Sequence, residues 1–287
     1  MHNRKLVRLR RKKANKNNPE SKLFFKEYLE EMLERISLIN ETFHECIAYD
    51  FRNLNFQKPK NIGKIIRCDS NASASTDLVY DEEALPFKRE SVDMILSFFN
   101  LHFANDVQGI FHQVLKSLKP NGIFLACLFA GDTLTELRFA LSKAEEEIVN
   151  GTSPRISPFA DLQGLSNLLQ KNNFSLPVAD IDRKKILYSK PIDLMLDLRL
   201  MGETNSLIKM KKNFLRRDVL KRAIQIYEDN FTNNEGKVYA TFEIAWIIGW
   251  KYHHSQQKPL RPGSGKVNLK REKRELSITL KVKNIRN

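Results

Sequence analysis

Short apolar runs alternating with helix-patterned segments constrain this 287-residue chain more than any other feature. The runs cover residues 44–50, 63–69, 77–80, 92–99 and 123–129. Residues 21–43 predict a helix, with Phe24, Phe25, Tyr28, Leu29, Met32, Leu33 and Ile36 recurring at helical spacing. Residues 106–118 predict another, which Pro120 and Gly122 are expected to end and turn into the next strand. The run 123–129 is almost wholly apolar, as a strand covered on both faces requires. Strands separated by helices indicate βαβ units, a parallel sheet and right-handed crossovers. Later segments read as a helix near 162–171, an extended run 176–188, helices near 191–201 and 215–230, and a strand-like stretch 238–252. Residues 190–236 then form a helical insertion before the last strand.

A hydrophobic content of 41% suits one α/β domain with an insertion. Cys46, Cys68 and Cys127 are widely spaced and form no CxxC pair, so a reducing interior is expected. No apolar run reaches the roughly 18 residues of a membrane span. The net charge of +14 sits at the ends. Residues 1–19 hold eight Lys or Arg and no acid, and residues 251–287 hold eleven against Glu272 and Glu275. The expected organisation is a basic arm (1–20), a domain (21–252) and a basic tail (253–287). Such ends either stay solvated or seek acidic or membrane surfaces. Nucleic acid fits less well, because the remainder is slightly acidic and offers no aromatic–basic stacking surface. The expected location is cytoplasmic, at the inner face of a membrane.

Ligands of open α/β sheets bind beyond the carboxyl ends of the strands. The residues there are Asp50, Asp69, Asp81, Glu82, Ser97, His102 and Asp132. Asp69 lies 19 residues after Asp50, a spacing at which an acid takes ribose hydroxyls, although a strand-end Asp also serves as a turn former. Asp81 opens the run Asp81-Glu82-Glu83-Ala84-Leu85-Pro86-Phe87, which suits either a contact to an adenine amino group or an acidic cap. His102 suits an acid, a base, a substrate contact or a hydrogen-bonded structural role. His253 and His254 are adjacent without helical spacing or a cysteine pair, so no metal site is expected. Pro262-Gly263-Ser264-Gly265 reads as a linker rather than a phosphate cradle.

The 81–87 run and Leu118-Lys119-Pro120-Asn121-Gly122 resemble class I S-adenosylmethionine-dependent methyltransferases. More specific are Gly131-Asp132-Thr133-Leu134-Thr135-Glu136-Leu137-Arg138, Ser153-Pro154-Arg155-Ile156-Ser157-Pro158-Phe159, Met201-Gly202-Glu203-Thr204-Asn205 and Ile248-Gly249-Trp250-Lys251-Tyr252-His253. Together they resemble the arginine-hydroxylase type of mitochondrial complex I assembly factor and its bacterial relatives, themselves similar to malonyl-acyl-carrier-protein methyltransferases. The resemblance covers residues 20–266. It implies a Rossmann-like methyltransferase fold with a seven-stranded, mostly parallel sheet and an antiparallel last strand. It also implies S-adenosylmethionine as cofactor and a protein substrate, an arginine-bearing subunit of respiratory NADH dehydrogenase. On that pattern Asp50, Asp69, Asp81, Glu82, Ser97 and His102 hold the cofactor. Asp132, Glu136, Arg138 and His253 face the substrate, beside the 131–138 and 153–159 segments.

The chain departs from the family at Asp50-Phe51-Arg52-Asn53-Leu54, where the cofactor loop should carry glycines. Side chains at Phe51, Arg52 and Asn53 are expected to crowd the backbone's approach to the cofactor. Only 12 residues separate Asp69 from Asp81, too few for a full helical crossover. Three alternatives follow: a cofactor-binding enzyme, an assembly factor with a degenerate cofactor site, or a methyltransferase of malonyl carrier protein.

Overall fold

Residues 1–16, 21–210, 215–257 and 263–264 are described by the computed structural model. Met1–Tyr252 form one unit and His253–Asn287 a second. In the second, His253 meets the hydroxyl of Ser255 at 2.7 Å and its ring lies 4.1 Å from that of His254. Most of the basic tail lies outside the described residues.

The strands of the first unit are β1 (Phe43–Tyr49), β2 (Ile62–Asp69), β3 (Leu78–Val79), β4 (Val92–Phe98), β5 (Leu118–Ala130), β6 (Ser175–Tyr188) and β7 (Val238–Trp250). They form one sheet in the order β3-β2-β1-β4-β5-β7-β6. Only β7 runs against its neighbours, pairing antiparallel with β5 and β6. The reversal of strand order between β1 and β4 opens a crevice at their carboxyl ends, the usual ligand position in such sheets.

Alternation along each strand feeds two cores. On β1, Cys46 and Ala48 enter the face covered by α2 (Ser21–Ser37), α4 (Thr135–Val149), α6 (Pro191–Met201) and α7 (Arg217–Phe231). Ile47 and Tyr49 enter the opposite face, under α3 (Val107–Ser117) and α5 (Leu162–Lys171). On β5, Leu125, Cys127 and Phe129 point one way and Phe124, Ala126 and Leu128 the other, which is why the strand is apolar from Ile123 onward.

Several boundaries differ from the sequence reading. The helix expected over 21–43 stops at Ser37. Pro120 and Gly122 do not end α3: it stops at Ser117 and β5 begins at Leu118, with Asn121 in left-handed conformation (φ 64°) at an irregular start of the strand. No helix lies between β2 and β3, as the short spacing requires, and none lies in residues 50–61 between β1 and β2 either. Helix α4 had no sequence expectation attached to it. Two helices, α6 and α7, lie between β6 and β7. Within the expected basic arm, residues 4–16 form helix α1 (Arg4–Lys16), which belongs to the same unit as the sheet.

Candidate functional site: a crevice closed by arginines

The loop after β1 keeps a glycine-like path without glycine. Asp50 (φ 59°), Arg52 (φ 52°) and Asn53 (φ 53°) all stand in the left-handed region, where a Cβ is strained. Phe51 does not crowd the crevice. It turns into the core, its ring 5.4 Å from Phe56 and 5.6 Å from Phe98. The side-chain carbonyl of Asn53 accepts hydrogen bonds from Ser73 at 2.8 Å and Ser75 at 2.6 Å, clasping the β1–β2 loop to the β2–β3 loop. Arg52 is the residue that fills the space. Its buried guanidinium donates to the carbonyls of Met201 (2.9 Å) and Phe99 (3.0 Å) and to the Glu203 carboxylate (2.5 Å), and lies 4.3 Å from the Phe25 ring centre.

Helix α1 supplies the second guanidinium. Arg, Lys, Leu and Ala are good helix formers, and the Asn3 side chain caps the first turn by accepting from the Leu6 N–H at 3.1 Å. The helix carries no acid to offset its like charges, so its charges are satisfied by the surface it covers. Arg4 reaches Asp81 (2.6 Å), Glu82 and Glu83 (2.5 Å), and Arg8 reaches Asp81 (2.5 Å). Arg10 donates to the carbonyls of Thr204 (3.0 Å) and Asn205. Arg11, only 3% exposed, pairs with Asp50 and donates to the Asn100 side chain and the Phe99 carbonyl, both at 2.5 Å. Its guanidinium lies 5.0 Å from the Phe103 ring centre and 3.7 Å from Glu203.

Glu203 joins these groups. It accepts from Arg52 and meets His102 Nε2 at 2.9 Å. Burial alone would raise its carboxyl, but His102, Arg52 and Arg11 outweigh that and hold it at about 2. Burial pushes the Asp50 carboxyl up to about 7, against the pull of Arg11 and Arg52. Burial also lowers His102, more than Glu203 raises it. In the sequence Glu203 stands only inside the 201–205 stretch without a role, and nothing singles out Asn100. A lone Glu after an αL glycine, Gly202 at φ 79°, carries no mark of such a junction.

The remaining expected residues divide. Buried Asp69 ends β2 and accepts from the Asn71 N–H at 2.7 Å; burial raises its carboxyl. Glu82 accepts from the Tyr49 hydroxyl at 2.7 Å, and with Ser97 lines a small pocket. On the expected substrate side, a narrow cleft is lined by Thr133, Leu134, Ile156, Ser157, Phe159 and Glu203. Three residues assigned to that side do other work. Glu136 is buried and accepts from the Thr241 N–H at 3.0 Å and from its hydroxyl, anchoring α4 to β7. Arg138 donates to the Ser157 carbonyl at 3.2 Å and so holds the 153–159 loop. Asp132 is exposed and pairs with Arg183. His253 belongs to the second unit.

A methyltransferase domain model matches residues 37–126. The structure of the YcgJ protein of Bacillus subtilis superposes with a TM-score of 0.52 at 16% identity, covering 79% of this chain and 99% of that one. The human protein named arginine-hydroxylase NDUFAF5, mitochondrial, is 39% identical over 220 residues, which are 73% of this chain and 64% of that protein. The Rickettsia prowazekii protein RP459, whose name places it among the methyltransferases, is 35% identical over 163 residues, 54% of this chain and 70% of that protein. The chain belongs to the class I methyltransferase superfamily. It spans less than two thirds of the length of the first curated arginine-hydroxylase relatives it matches.

In this methyltransferase relative the cofactor does not fit the crevice as arranged. Arg52 and Arg11 occupy the space beside Asp50, and their two buried guanidiniums disfavour a cationic ligand such as S-adenosylmethionine there. Asp50 and the 81–82 pair, expected to hold the cofactor, hold arginines instead. Among the described residues no cluster of His, Cys, Asp or Glu could hold a metal ion, and no helix is long and apolar enough to cross a membrane.

Proposed function

We propose that this protein acts with a partner protein in the assembly of respiratory NADH dehydrogenase, as a methyltransferase-fold protein that transfers no methyl group while Arg11 and Arg52 close its crevice. The resemblance of its later motifs and the arginine-hydroxylase name of its relatives support the pathway. The mitochondrial location in that name supports a place of action beside the respiratory membrane. One observation carries the absence of methyl transfer: Arg52 stands where the cofactor loop needs a glycine, and its guanidinium is tied to Glu203 and two backbone carbonyls rather than free to swing aside.

Calorimetric titration with S-adenosylmethionine and its demethylated product tests this. The expected result is no heat at millimolar ligand. Micromolar binding that is lost on Asp69→Ala would overturn it.

A second reading, modification of a partner's arginine, is favoured by a different fact. The crevice already encloses one guanidinium between Asp50, Asn100 and the Phe103 ring. Mass analysis of the arginines of a co-expressed NADH dehydrogenase subunit decides it: an added oxygen supports modification, and unaltered arginines leave assembly without chemistry.

A further inference from the structure

The contacts of α1 have an uneven character. Its apolar anchoring is slight: Val7 and the guanidinium-bearing Arg11 are its buried residues, while Lys5, Leu9, Lys12 and Lys13 are exposed. Nearly everything else that holds the helix is charge, from Arg4 and Arg8 to the acids at 81–83. Charge pairs at a partly exposed surface are weak and salt-sensitive. A 13-residue helix with no internal acid also has little stability once released. The helix is therefore docked by exchangeable contacts.

The polar groups beneath it are not all paired. Asp50 Oδ1, Asn100 Nδ2 and Arg11 Nε are buried without a hydrogen-bond partner. Native sites seldom leave such atoms unpaired. Asp50 Oδ1 can therefore accept from a guanidinium seated more squarely than Arg11 is. With Arg11 withdrawn, Asp50 and Glu203 would face a single buried cation, Arg52, so the vacated space would favour a positive group. Planar geometry, two acceptor oxygens and the Phe103 ring favour guanidinium over ammonium.

We propose that the crevice at the carboxyl ends of β1 and β4 is a guanidinium-binding site, that α1 is its intramolecular ligand, and that an arginine on a basic segment of a partner protein exchanges with Arg11. The proposal rests on the reading that this protein works with a protein partner. It adds that the chain's own first helix holds the partner's place.

The test adds a fluorescent peptide with the sequence of residues 1–16 to the intact chain and to its Arg4→Ala/Arg8→Ala variant. That variant weakens the exposed latch and leaves Arg11 in place. The variant is expected to bind the peptide at least tenfold more tightly than the native chain, with faster amide exchange along α1. A peptide carrying Arg11→Lys is expected to bind at least tenfold more weakly than the parent peptide. Equal affinity of the native chain and the variant overturns the proposal, because α1 then does not compete. Equal affinity of the two peptides overturns it as well, because the attraction is then charge alone. S-adenosylmethionine that displaces the peptide from the variant would place the peptide in the crevice and support exchange, while overturning the reading that the protein binds no cofactor.

Discussion

Arg11, on the first helix, pairs with Asp50, at the end of the first strand, and both side chains are 3% exposed. The pair joins the most basic stretch of the chain to the carboxylate expected to open a cofactor site. Around it, Arg52, Glu203 and His102 form a buried network in which two carboxylates balance two guanidiniums.

Glu203 sets an acid limit on stability. Its carboxyl is held at about 2 in the folded protein, below its ordinary value of 4.5. A lowered carboxyl contributes stability that is fully present above 4.5 and is lost as pH falls toward 2. Glu203→Gln should cost on the order of 3 kcal/mol near neutral pH. The difference between variant and native melting temperatures should shrink toward zero between pH 4.5 and 2. Thermal melts across that range check the prediction, and a pH-independent difference would contradict it.

Arg52 and Asn53 share a strained backbone but should respond oppositely to glycine. Either substitution relieves left-handed strain worth about 1 kcal/mol. Asn53→Gly gives up two surface-level bonds to Ser73 and Ser75, about 1 kcal/mol each, and should lie within about 1 kcal/mol of native. Arg52→Gly leaves buried Glu203 and two carbonyls without their donor, a loss of about 3–5 kcal/mol that outweighs the relief. Denaturant midpoints of the two variants test the contrast.

Gly249 is set by a close approach. A Cβ there would stand 2.6 Å from the Phe174 ring. Gly249→Ala should destabilise the β7 end of the sheet by about 1–3 kcal/mol, measured by chemical denaturation.

Glu145 fixes the loop beside the cleft lined by Ile156, Ser157 and Phe159. It accepts from the Ser153 N–H at 2.7 Å and from Arg155 at 2.7 and 2.9 Å, while the Asn205 side chain donates to Pro154 at 2.7 Å. Glu145→Ala should cost about 1–3 kcal/mol and speed amide exchange in residues 153–159 more than in α4 itself.

Salt should loosen α1 before anything else in the first unit. Its contacts to Asp81 are partly exposed, with the Asp81 side chain 41% open to solvent. Raising salt from about 0.05 to about 1 M shortens the screening length from about 14 to about 3 Å. Amide exchange in residues 4–16 should accelerate several-fold while that of β5 stays unchanged. Equal response of the two elements would refute it.

Hydrophobic period alone indicated the α/β layering. The apolar runs and the helical stretches between them were enough for βαβ units and a mostly parallel sheet, because side-chain alternation is local in the chain, while the count of seven strands and the antiparallel last strand came with the family resemblance. Motif spelling was enough for the superfamily. The crevice was another matter. Which residue of the glycine-free loop blocks it depended on backbone conformation: Phe51 turns into the core, whereas Arg52 crosses the site. Glu136 could be read as facing a substrate until Thr241, 105 residues away, claimed its carboxylate. The arm could be read as solvated or as seeking an acidic surface, because its charges find no partner nearby in sequence. Its acids lie 39 to 77 residues and more along the chain, brought under it by the fold. Local pattern determines where strands and helices form. Only tertiary packing decides which distant charges must neutralise each other out of water, and here that decision closes the site.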